Sequence, residues 1–266
     1  MSVEHRNNVK VLGSGSETIV FAHGFGCDQN MWKYLVPSYE PHYRIVLFDL
    51  VGSGKSDLSA YDFDKYDSLQ GYADDLIEII DEFCDSPVIF VGHSVSATIG
   101  MLAAVDQPEK FKCLVMVGPS PSYINDGDYT GGFTRADIEE LCDTIDCNYL
   151  GWSSNMAPAI MGAPDQPELA VELTNSFCRT DPTIATHFAR VTFFSDHRDA
   201  LAKCSIPSLI LQCSDDFIAP LSVGEYMNEQ MPDAQMVIIE NVGHCPHLSA
   251  PHASIDAINA FLKRLL

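Results

Sequence analysis

The chain has 266 residues, 46% of them hydrophobic, enough for a full single-domain core or for one core domain carrying an insertion. With 37 acidic and 15 basic residues its formal net charge is −22, which repels phosphate backbones and anionic membrane surfaces and excludes nucleic acid as an expected partner. Its 9 cysteines are odd in number, dispersed and without a C-x-x-C, poor material for a disulfide framework, and Met1–Asn8 lacks the apolar core of a signal peptide; a cytoplasmic location is expected.

Taken in chain order, Ile19 to Ala22 and Ile45 to Phe48 are short apolar runs of strand type, each followed by glycine-containing turns. Met31 to Val36 between them reads as a short helix. Leu69, Tyr72, Ala73, Leu76, Ile79, Ile80 and Phe83 share one helical face, with Asp74, Asp75, Glu78, Asp81 and Glu82 mostly opposite, which predicts a surface helix on a sheet. Val88 to Val91 is β-branched and aromatic, whereas Ala97 to Val105 is rich in Ala, Met and Leu, so a buried strand turns abruptly into a helix. This stretch approaches membrane-spanning length, but Gly92, His93, Ser94 and Ser96 interrupt it, and no span is expected. Leu114 to Val117, Ser208 to Leu211 and Met236 to Ile239 supply three further buried strands, and Ala257 to Leu266 a closing helix. The alternation predicts an α/β fold with a mostly parallel sheet covered on both faces. It breaks between about Pro119 and Ala202, where helical segments near Asp137 to Cys147, Tyr149 to Met161, Glu168 to Cys178 and Thr183 to Ser195 read as an insertion. The expected units are a core over 1–119 and 201–266 and a helical insertion over 120–200.

Ser94 sits at the strand-to-helix turn in Gly92-His-Ser-Val-Ser96, close to the Gly-x-Ser-x-Gly nucleophile elbow, with a small residue instead of glycine at its end. Serine is a weak nucleophile until a base takes its proton, and that base needs a carboxylate to hold its tautomer. In the order Ser, Asp, His the partners should follow later strands, and they do: Asp215-Asp216 after Ser208 to Leu211, and His244 after Met236 to Ile239. Either aspartate fits at this point. The glycine before His244 permits the turn that would present it, while His247 reads as a surface or packing histidine. His23-Gly-Phe-Gly26 follows the first strand and could bring backbone N–H groups to an oxyanion, with Phe25 and Val95 the natural pair.

Two rival motifs are weaker. Gly52-Ser-Gly-Lys-Ser56 ends like a phosphate-binding loop, but Asp49 stands where that motif needs glycine, so a turn is expected. His244-Cys-Pro-His247 offers metal ligands, yet Pro246 lies between them and no second cluster is visible, so no metal site and no cofactor are expected. Cys27, Cys213 and Cys245 read as small buried residues.

These motifs together resemble the α/β-hydrolase superfamily, and within it the branch of the bacterial stress regulator RsbQ and the plant karrikin and strigolactone receptors. The likeness runs through the chain and includes Gly118-Pro-Ser-Pro-Ser-Tyr-Ile-Asn-Asp126, Gly131-Gly-Phe133, Asn148-Tyr-Leu-Gly-Trp152, Phe177-Cys-Arg-Thr-Asp-Pro182 and Phe193-Phe-Ser-Asp-His-Arg198. In this branch the triad aspartate stands four residues before a proline, which selects Asp216 against Pro220. The resemblance implies a four-helix V-shaped lid over a small apolar pocket lined by Phe25, Tyr123, Phe133, Trp152, Phe193, Phe217 and Ile218. It also implies cleavage of a small hydrophobic ester or lactone by Ser94, His244 and Asp216. The alternative is a small-molecule receptor or stress-signalling component with slow hydrolysis, whose lid binds a regulatory, phosphatase-like protein partner.

Overall fold

The computed structural model describes residues 2–265. Within them the strands are β1 (Lys10–Leu12), β2 (Thr18–Ala22), β3 (Arg44–Phe48), β4 (Val88–His93), β5 (Phe111–Val117), β6 (Ser208–Asp215) and β7 (Ala234–Val242). They form one sheet in the order β1-β3-β2-β4-β5-β6-β7, parallel throughout except for β1 against β3. The inner strands are continuous apolar runs because helices cover both faces, but Met236 to Ile239, expected to be buried, lies in the edge strand β7, where only Ile239 is buried and Ile238 is exposed. β1 escapes the sequence reading: it is an edge strand of three largely exposed residues with no apolar run to announce it.

The helices are α1 (Val3–Arg6), α2 (Val36–Tyr39), α3 (Leu69–Phe83), α4 (Val95–Asp106), α5 (Arg135–Met161), α6 (Pro167–Phe177), α7 (Pro182–Phe193), α8 (Arg198–Leu201), α9 (Leu221–Gln230), α10 (Pro246–Ser249) and α11 (Pro251–Leu265). The helix expected over Met31 to Val36 is instead a 3-10 turn at Gln29–Trp32 followed by α2. Side chains alternate across each strand, so Val20, Ala22 and Phe90 share a core with α3, α4 and α9. Ile19, Phe21 and Val91 face the other way, onto α2, α11 and the helices between β5 and β6. Asp75 departs from the expected solvent face of α3. It is buried, accepts from Tyr66 Oη at 2.7 Å and Lys65 Nζ at 2.5 Å, and lies 3.1 Å from Arg6 Nη2.

The segments expected to end at Cys147 and begin at Tyr149 meet inside α5, where Asn148 has non-helical angles (φ −156°, ψ 71°). Its side chain accepts the Gly151 N–H at 3.0 Å, so it caps the second half of the helix. α5 packs on α6 and α7. Its buried residues Ile138, Cys142, Ile145, Tyr149 and Trp152 belong to the same apolar cluster as Phe21 and Val91, so the helices share the core of that sheet face.

Candidate active site

The strand order reverses beside β2, whose chain continues to β3 on one side while β4 lies on the other. Such switch points open a crevice at the carboxyl ends of the strands. His23 and Ser94 follow β2 and β4 there. Ser94 holds φ 56° and ψ −122°, a strained conformation for a residue with a Cβ, and its N–H is tied to the Val117 carbonyl at 2.8 Å. The strain lifts the hydroxyl out of the sheet and puts Val95 at the first position of α4, where an N–H has no acceptor within its own helix.

His244 Nε2 lies 2.8 Å from Ser94 Oγ, and His244 Nδ1 lies 2.6 Å from Asp216 Oδ2. Asp216 Oδ1 accepts the N–H groups of Ile218 (2.9 Å) and Ala219 (3.2 Å), which fixes the carboxylate plane. With a carboxylate at Nδ1, that nitrogen carries the ring proton, and Nε2 can accept from the serine. Asp215 ends β6 with its side chain exposed, away from this chain of bonds. The His244 backbone is held from two sides: its N–H donates to Ile160 O at the end of α5 (2.7 Å), and its carbonyl accepts from His93 Nε2 (2.9 Å).

The loop carrying Phe25 presses on the elbow. A Cβ at Gly24 would fall 2.5 Å from His93 Nδ1 and 3.3 Å from Ser94 Cβ, so only glycine permits the approach. Ser96, the departure from glycine in the elbow motif, donates its hydroxyl to His23 O and so joins α4 to this loop. His23 is itself fixed, accepting the Leu50 N–H at Nε2 (3.0 Å) while Nδ1 contacts Gly24 O (2.8 Å).

Above Ser94 lies a cavity of about 130 Å³. Phe25, Tyr123, Phe133, Trp152, Phe193, Phe217 and Ile218 all line it, with Ser94 and His244. Phe25 is the hub of its aromatic wall, with ring centroids 5.8 Å from Phe193 and 6.2 Å from both Trp152 and Phe177, and it also packs 5.6 Å from Phe188 in the core behind. Phe217 is 41% exposed and stands at the rim.

A model of the "Alpha/beta hydrolase family" matches residues 19–257. The chain belongs to the α/β-hydrolase family. It is 40% identical over 258 residues to a karrikin insensitive 2 receptor of Petunia hybrida, covering 96% of this chain and 95% of that one. To the strigolactone esterase D14 of Arabidopsis thaliana it is 37% identical over 260 residues, covering 97% and 96%. Among solved structures, a hydrolase from Oleispira antarctica superposes with a TM-score of 0.95 at 42% identity, covering 98% of this chain and 96% of that one.

In this hydrolase several cavity residues carry no signal in the sequence. Cys27, Leu141, Met156, Ile160, Leu173, Phe177 and Thr192 line the space. Except for Cys27, which lies in the loop after β2, they cannot be told from core positions on helical periodicity alone, since only the packing of α5, α6 and α7 decides which face looks inward. The Gly52 to Ser56 segment is a turn built on Asp49, whose carboxylate accepts from Gln29 N, Lys55 N and Asn8 Nδ2. A Cβ at Gly54 would meet that carboxylate at 2.5 Å, so the space a phosphate would need is filled by an acid.

His247 is buried with its ring 4.7 Å from Trp32 and 4.5 Å from His93. Burial, with a smaller effect of His244, holds its imidazole down to about 3; burial, His247 and His244 together push His93 well below the ordinary histidine range. Both rings are therefore neutral. Linear spacing hid one relation: His93, from β4, comes beside Cys245 and His247. No described helix is long and apolar enough to cross a membrane.

Proposed function

We propose that the chain is a serine hydrolase cleaving a small hydrophobic ester or lactone, with residues 120–200 as the lid over its substrate. The observation that carries this reading is the unbroken Asp216–His244–Ser94 hydrogen-bond chain at the floor of an apolar cavity. Ser94 Oγ attacks the carbonyl carbon as His244 Nε2 takes its proton; Asp216 keeps the ring oriented and stabilises its cationic form. The tetrahedral oxygen is held by the N–H groups of Phe25 and Val95, which stay in place as charge develops. His244 then protonates the leaving alcohol, and the same base activates water to release the acid from the acyl-enzyme. A cavity of about 130 Å³ is well below the few hundred Å³ common for ligand sites, which restricts substrates to compact molecules.

The test is turnover of a chromogenic acetate ester. Ser94→Ala should reduce it by on the order of 10⁴- to 10⁶-fold, and near-parental turnover by that variant would refute the nucleophile assignment.

The similarity to a karrikin insensitive 2 receptor over nearly the whole chain favours a second reading, a small-molecule receptor with slow hydrolysis and a protein partner at its lid. That reading predicts a ligand that raises the melting temperature and creates or abolishes binding to a regulatory protein. Fast multiple turnover with no ligand-dependent partner in a pull-down counts against it.

A further inference from the structure

Three side chains that the triad chemistry does not use meet beside it: His93 at the end of β4, Cys245 directly after His244, and His247 on α10. One ligand atom from each lies within 4.8 Å of the other two, and all three residues are buried. We propose that His93, Cys245 and His247 form a binding site for a thiophilic d¹⁰ cation, with Zn²⁺ as the representative ion, reached through the catalytic cavity.

Their hydrogen bonding is the first argument. His93 Nε2 donates to the His244 carbonyl, so the ring's lone pair is on Nδ1, and Nδ1 is buried without a partner among the described residues. Neither nitrogen of His247 has a partner there. A buried polar atom left without a partner is costly, and no side chain among the described residues hydrogen-bonds these nitrogens. A cation takes up a lone pair from each ring.

The donor set is the second. Two neutral imidazoles and a thiol suit a borderline or soft metal, and the lack of an oxygen donor in the cluster disfavours Ca²⁺ and Mg²⁺. Tetrahedral bonds of ~2.0–2.3 Å place ligand atoms roughly 3.3–3.7 Å apart, so the cluster closes by about 1 Å on binding. Cys245 gives up its thiol proton to solvent as the metal–sulfur bond forms.

Access is the third. His93 and Cys245 both line the cavity above Ser94, so a cation entering there meets two ligands at once, and the fourth coordination position can take a water. Because Cys245 follows His244 and His93 holds the His244 carbonyl, closure of the cluster shifts the base. Bound metal therefore slows ester turnover, a consequence that rests on the triad reading, whereas the site itself does not.

The experiment is a Co²⁺ titration in a Cys147→Ser/Cys178→Ser background, which removes the two exposed thiols. The site predicts one equivalent of Co²⁺ with a near-ultraviolet thiolate charge-transfer band and tetrahedral d–d bands, displaced by Zn²⁺. Cys245→Ser, checked for native circular dichroism, should lose the charge-transfer band. Ser94→Ala should keep it, so failure of the hydrolase reading is read separately. No band at stoichiometric Co²⁺, or an unchanged band in Cys245→Ser, overturns the site; turnover that stays constant as the band saturates overturns its coupling to His244.

Discussion

Asp216 shows what a single residue's surroundings decide. Asp215 and Asp216 are chemically identical and adjacent, yet one lies exposed at the end of β6, while the other accepts two backbone N–H groups and faces His244 at 2.6 Å. Asp216→Asn, which keeps the shape and loses the charge, should lower kcat by roughly 10⁴-fold, whereas Asp215→Asn should change it little; steady-state kinetics on both variants decide, and a larger loss for Asp215 would reverse the assignment. The sequence alone left the pair open, and only the resemblance to a family pattern with Pro220 separated them. His247 makes a second prediction at this scale. Burial and His244 hold it down to about 3, whereas an unfolded chain takes up that proton near pH ~6.5. The unfolded state therefore binds more protons below that pH, and stability contributed by the neutral ring is full above pH ~6.5 and declines toward pH ~3, by about 1.4 kcal/mol per pH unit. Urea unfolding as a function of pH should show this slope reduced in His247→Gln; parallel curves would contradict it.

At the scale of elements, the strands were legible because each inner strand is an apolar run bounded by turn residues, and β1 was not because an exposed three-residue edge has no such run. The break at Asn148 was legible too: its position between two helical patterns is where the backbone leaves helical angles. Removing the side chain that caps the second half, Asn148→Ala, should cost about 1 kcal/mol, measured by chemical denaturation, and no loss would mean that packing on α6 and α7 alone sets the break. Asp75 was misplaced because periodicity reports a face and not the partners waiting there: Tyr66, Lys65 and Arg6 come from elsewhere in the chain. Gly24 is an element-level constraint as well, since the loop after β2 and the elbow after β4 touch through it. Gly24→Ala should destabilise the fold by about 1–3 kcal/mol through overpacking against His93 and lower turnover by displacing Phe25; an unaffected variant would show that the two loops need no such contact.

Over the whole molecule, His244 is the place where the helical insertion and the sheet meet. His244 is bonded through its N–H to the end of α5 and through its carbonyl to His93 at the end of β4, so one residue ties the insertion to the sheet. That coupling, the inward faces of α5, α6 and α7, and the approach of His93 to Cys245 and His247 were illegible in the sequence because each depends on contacts between residues far apart in the chain. The Ser, Asp, His order was legible because each residue follows a strand, and strands announce themselves. The central claim, that Ser94 is acylated during hydrolysis of a small ester, is tested most directly by mass spectrometry of the protein quenched during turnover of a short-chain ester. One acyl adduct that maps to Ser94, and disappears in Ser94→Ala, is the predicted result. An adduct on a cysteine or histidine, or turnover with no adduct at Ser94 in a pre-steady-state burst, would contradict it.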